Sequence, residues 1–142
     1  MGNYQELIFY QKARQVAKKV DMLIKHWQKT MQAQEISRRL FRSATSIGAN
    51  IAEGHGRHQG TEYVHYSIIA RASANGTEHW LRTAQDCGLG ENEKIDEILE
   101  LNIEVVRMIT STISTIRANQ LTKNVREDKA SYLADDNPKF ND

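Results

Sequence analysis

"IDEILELNIEVVRMITSTISTI" (residues 95–116) repeats its apolar side chains at a spacing that suits a helix and no strand. Ile95, Leu99, Asn102, Val106, Ile109, Ile113 and Ile116 follow alternating steps of four and three, a heptad seam with one polar member, Asn102. Ile98, Leu101, Val105 and Met108 form a second stripe beside it. One seam is enough to join a bundle. Two stripes serve either a wide core or a contact with another subunit, so these four residues are candidates for an oligomer interface.

The same period extends toward the N-terminus. Leu7, Tyr10, Ala13, Val16, Val20, Leu23 and Trp27 recur at steps of three and four and predict a first helix, with a polar break at 30–34. Ile36, Leu40, Ala44, Ile47 and Ile51 predict a second, closed by a left-handed glycine at Gly54 or Gly56. A third is predicted from Gly60 or Thr61 to Cys87, stopped by Gly88-Leu89-Gly90. The only proline is Pro138, as expected for a chain of long helices. Periodicity fades after Arg117, so 121–142 reads as a polar, flexible tail, or as a docking peptide anchored by Tyr132, Leu133 and Phe140. The fold class is all-α, an up-down antiparallel four-helix bundle over residues 1–120.

With 142 residues, 39% hydrophobic and 26% charged, the composition suits a single soluble domain. No apolar run approaches the roughly 18 residues of a membrane span. The first residues lack the basic and apolar regions of a secretion signal, and Cys87 is alone. Both point to a reducing cytoplasm. The net charge of +1 conceals a split. Residues 1–58 hold ten lysines and arginines against four acids, a net of +6, which leaves −5 on residues 59–142. A positive face and a negative face are expected.

The corner "SIGANIAEGHGRHQGTEY" (46–63) concentrates glycines, histidines and charges. Gly54, Gly56 and Gly60 do not spell a dinucleotide fingerprint, and no G-K-[ST] phosphate loop is present. His55, His58, Glu62, His65 and His79 lack the repeated Glu-x-x-His spacing of a metal site in a bundle, and they read as surface histidines. No serine elbow or marked cysteine nucleophile occurs, so neither an enzyme nor a bound cofactor is expected. A polar stripe remains: Arg39, Ser43, Ser46, Asn50, Glu53 and Arg57. Glu53 stands in the last turn of its helix, where the macrodipole disfavours an anion. It therefore needs a partner, with Arg57, Arg71 or free N–H groups of the third helix as candidates. Asn50 and Glu53 are read as hydrogen-bonding locks.

"SIGANIAEGHGR" (46–57) resembles the S-I-x-x-N-I-A-E-G-x-x-R signature of the bacterial four helix bundle protein family, whose founding members are encoded in intervening sequences of 23S ribosomal RNA genes. "ELIFYQKA" (6–13), "RLFRSATSI" (39–47), "EYVHYSIIARASANGTEHWL" (62–81) and "AQDCGLG" (84–90) are similar to further family segments in the same order. Ser46, Asn50, Glu53 and Gly54 carry the signature. Gly48 replaces a frequent proline, Gln59 a capping serine and Gly76 a glutamate.

The resemblance implies a non-enzymatic bundle assembled as a ring of five. It also implies kinship with the accessory variability protein of diversity-generating retroelements, a basic barrel that binds a reverse transcriptase and nucleic acid. Lys12, Lys18, Lys19, Lys25, Arg38, Arg39, Arg42 and Arg57 are the candidate nucleic-acid contacts, acting by charge and shape on structured RNA or DNA. A structural or scaffold oligomer with no nucleic-acid role is the alternative.

Overall fold

A computed structural model describes residues 7–57 and 60–135. Four helices make up the fold: α1 (Ile8–Ile24), α2 (Met31–His55), α3 (Gly60–Asp86) and α4 (Asn92–Asp135). Each packs on the next and α1 closes on α4, while among the described residues the backbones of the diagonal pairs stay apart. Every neighbouring pair is antiparallel. Along α1 and α4, Lys12 meets Glu104 and Lys19 meets Glu97; along α3 and α4, Asn102 meets Ala74 and Gln120 meets Thr61. Short connections between long rods produce this up-down square.

Local chemistry sets the helix ends. The Thr30 hydroxyl accepts from the Ala33 N–H at 3.1 Å and caps α2, so the break falls at 25–30 and not at the predicted 30–34. The expected left-handed closure of α2 does not occur. Gly54 lies inside the helix, and Gly56 keeps a right-handed φ of −72°. Left-handed glycines close α3 instead, with φ +68° at Gly88 and +70° at Gly90. Leu89 donates to the Ala84 carbonyl at 2.8 Å and Gly88 to that of Gln85 at 3.0 Å, the paired bonds of a Schellman end.

The core runs along the bundle axis through Val16, Val20, Leu40, Ile47, Leu81, Ile95, Val105 and Ile109. Small residues line the contact between α2 and α3: Ala44 and Gly54 on one side, Ser67, Ala70 and Ala74 on the other, all buried. The buried hydroxyls are satisfied within this layer. Ser67 donates to the Tyr63 carbonyl at 2.7 Å and Thr77 to the Ser73 carbonyl at 2.9 Å, with the Ser43 hydroxyl oxygen 3.1 Å from that of Thr77. Asn102 is 1% exposed and donates to the Ala74 carbonyl at 2.8 Å, tying α4 to α3.

Two expectations for α4 change. Ile98 and Val105 are buried in the chain's own core at 2% and 0% exposure, which removes them from any subunit contact. Leu101 and Met108 are half-buried and pack against the core's edge. The two stripes thus merge into one broad apolar face, because α4 is covered by α1 on one side and α3 on the other. The helix also does not stop near Arg117. The segment read as a tail is helical as far as Asp135, and residues 121–134 are exposed.

Candidate nucleic-acid interface

The eight candidate cations divide by what holds them. Lys12 and Lys19 reach Glu104 and Glu97 of α4 at 2.7 and 2.6 Å, so they bridge helices. Lys25 pairs with Asp21 at 2.8 Å. Arg38 and Arg39 share the carboxylate of Glu35, and Arg39 also lies 5.3 Å from the centre of the Trp80 ring. Arg57 pairs with Glu53 at 2.7 Å at the opposite end of the bundle. Only Lys18 and Arg42 have no partner among the described residues.

Among the other cations of residues 1–58, two share that condition: Arg14 and Lys29. Neither stands out by clustering. A signal was nevertheless present, since neither has an acid three or four residues away, and neither does Arg42. On a helix an acid at that spacing captures a cation, as Glu53 does Arg57 and Asp21 does Lys25.

Lys29 and Arg42 belong to a patch around the α1–α2 turn. A hollow of about 560 Å³ there is lined by Lys25, Lys29 and Arg38 over an apolar floor that includes Ala33 and Phe41. Five cations (Lys25, Lys29, Arg38, Arg39 and Arg42) face two acids, Asp21 and Glu35. The hydrogen bond from Arg39 and then that from Arg38 hold the Glu35 carboxyl below its ordinary range. Both guanidinium groups remain exposed, at 57% and 76%. Surface pairs of this kind contribute little, so a phosphate can displace the carboxylate at small cost. Arg14 and Lys18 stand further along α1, beside a second hollow of about 590 Å³ between α1 and α2.

The signature residues do local structural work. Asn50 donates to the Ser46 carbonyl at 2.8 Å and Ser46 to that of Arg42 at 2.7 Å, both within α2, so Asn50 locks no second helix. Of the three candidate partners, Glu53 takes Arg57. Arg57 then reaches across the corner to the Tyr66 hydroxyl at 3.3 Å and lies 5.4 Å from the Tyr66 ring centre. Glu53 first, then Tyr66, raises the already high pKa of the guanidinium. Gly54 provides clearance, because a Cβ there would stand 2.7 Å from Cβ of Tyr66. Arg71 bonds Thr110 instead.

Three of the four described histidines lie against rings: His55 edge-on to Tyr63, His65 to Tyr66, His79 to Trp80. Burial raises the pKa of Tyr63. No group of three or more His, Cys, Asp or Glu among the described residues could hold a metal ion. His58 and Gln59 lie outside the described residues. None of the described helices is long and apolar enough to cross a membrane.

Against this geometry, the family model described as 23S rRNA-intervening sequence protein matches residues 5–111. The chain belongs to that family. A crystal structure of a protein of unknown function from the S23 ribosomal protein family of Bacteroides thetaiotaomicron aligns with a TM-score of 0.67 and 27% identity. The alignment covers 75% of this chain and 98% of that one. A comparison with curated proteins returned no match. The family match ends within α4, before its exposed extension.

Proposed function

We propose that this chain is a non-enzymatic accessory protein that assembles as a ring of five in the cytoplasm and binds structured RNA. The observation that carries the reading is the excess of cations around the α1–α2 turn, with Lys29 and Arg42 unpaired among the described residues. Five copies in a ring would repeat that patch and sum its field over phosphates. Phe41 is exposed beside these cations, one aromatic face on a surface whose main attraction for RNA is backbone charge and shape. A reverse transcriptase is the protein partner this reading favours, by the kinship noted for the family signature. The exposed, lone thiol of Cys87 suits a reducing compartment.

A scaffold with no nucleic-acid role is supported by one observation: six of the eight candidate cations are already ion-paired. Binding of a short RNA hairpin across a salt series separates the two readings. Lys29→Ala together with Arg42→Ala should weaken binding at least tenfold at low salt and flatten the log–log salt slope by about 2. Wild-type protein that leaves the hairpin unbound at low salt rejects the RNA role in favour of the scaffold.

A further inference from the structure

Two surfaces of this chain carry unpaired charges of opposite sign and have complementary shapes. One is concave. Between α1 and α2 runs the hollow of about 590 Å³, with Tyr10 and Phe41 as walls and Ala13, Ala17, Ala44 and Gly48 as its floor. Side chains this small let another helix approach closely, and Phe41 is left 43% exposed. Arg14 and Lys18 stand one turn apart on the α1 lip with no ion-pair partner among the described residues, since Asp21, the acid in the same lining, is held by Lys25.

The other surface is convex. Glu93, Asp96 and Glu100 lie exposed along the first turns of α4, beside Ile103, which is 37% exposed. Glu97 and Glu104 turn toward α1, where Lys19 and Lys12 neutralise them. The outer line points away from α1, since Asp96 accepts from Gln85 at the end of α3. Glu93 and Glu100, two turns apart, meet no cation among the described residues, and the acidic run ends at Arg107.

We propose that the α1–α2 groove of one copy receives the acidic face of α4 of a second copy. Arg14 and Lys18 would stand opposite Glu93 and Glu100, with Ile103 against the apolar floor. The two surfaces occupy different faces of the square, so the contact is head-to-tail: each copy offers one groove and one ridge, and successive copies close into a ring. A net charge of +1 means that copies do not repel one another as wholes, while the separated charges orient them. A nucleic acid would satisfy the groove's charge but would be repelled by the α4 face; a second copy satisfies both. The proposal rests on the reading of the chain as a ring, but not on its RNA-binding role.

A charge swap in the full chain tests it, read by light scattering at low salt. Wild type should have about five times the 16.3 kDa mass of the chain. Arg14→Glu with Lys18→Glu, and separately Glu93→Lys with Glu100→Lys, should each lower that mass about fivefold, because groove and ridge then carry like charge. Mixing the two variants should restore assemblies, now alternating and even in number. A variant that keeps the wild-type mass, or a mixture that stays monomeric, overturns the interface and leaves the ring itself standing. A monomeric wild type removes the ring as well. Should a variant fail to fold, a carbodiimide applied to wild type must join Lys18 of one chain to Glu93 or Glu100 of another, and the absence of that cross-link is equally decisive.

Discussion

Gly54 and Gly76 both sit inside helices, yet their surroundings give them opposite roles. A Cβ on Gly54 would stand 2.7 Å from Cβ of Tyr66, an atom held by its own backbone and unable to swing aside. On Gly76 it would meet only the Ser43 Cβ at 3.8 Å, an ordinary contact. Overpacking costs about 1–3 kcal/mol and a helical Gly→Ala change returns at most about 1 kcal/mol. Gly54→Ala should therefore destabilise by roughly 1–2 kcal/mol, while Gly76→Ala should stabilise by about 0.5–1 kcal/mol. Thermal unfolding will show shifts of opposite sign, each about 2–4 °C per kcal/mol. The signature's glycine is thus legible as essential from its residue type, but its reason is not. Sequence suggested a left-handed turn, whereas the structure shows a close approach between α2 and α3. Glu53 was legible in a different way: an anion in the last turn of a helix implies a nearby cation, and Arg57 is that cation.

At the scale of elements, α4 contains two regimes. From Ile95 to Ile113 it is covered by α1 and α3, and Asn102 pins its register to the Ala74 carbonyl. Gln120 touches Thr61 at the start of α3, and beyond it about 15 residues, ~22 Å of helix, stand clear of the bundle. There the exposed apolar residues are Leu121, Val125, Tyr132 and Leu133. Without tertiary contacts a helix of this length is marginal, and only its continuity with a packed segment spares it the cost of nucleation. Amides after Lys123 should consequently exchange at least about a hundredfold faster than those from Ile95 to Ile113, by hydrogen exchange with mass spectrometry. Equal protection would mean that the extension is covered by another chain. The loss of seam periodicity after Arg117 coincides with side chains that are mostly exposed. It did not mark where the helix ends, because helical backbone bonds need no seam.

For the molecule as a whole, charge is arranged before it is summed. Cations gather on α1 and the N-terminal half of α2, acids on the outward face of α4, and ion pairs join α1 to α4 where the two regions meet. The Lys19 ammonium, by hydrogen bond and proximity, holds the Glu97 carboxyl below its ordinary value of 4.5, as Arg39 and Arg38 do for Glu35. A carboxyl depressed in the folded state contributes stability above its unfolded pKa and loses it as pH falls through the folded value. Lys19→Met should therefore lower the unfolding temperature slightly at pH 7. That difference from wild type should shrink below about pH 4.5 and vanish once Glu97 is protonated in both states. A difference that persists at pH 3 would assign Lys19 a packing role instead.

Periodicity alone determined that this chain is four amphipathic rods, and which side of each turns inward. Those properties repeat every 3.6 residues and need no knowledge of the neighbours. The imbalance between +6 and −5 was equally a property of the string. Only the tertiary structure decided that Ile98 and Val105 belong to the core and not to a subunit contact, because that depends on how many neighbours cover α4. It also decided which cations are free. Lys12 and Lys19 are neutralised by acids 92 and 78 residues away, a distance over which no local pattern reports. Arg14 and Lys29 stay unpaired because folding brings them no such partner.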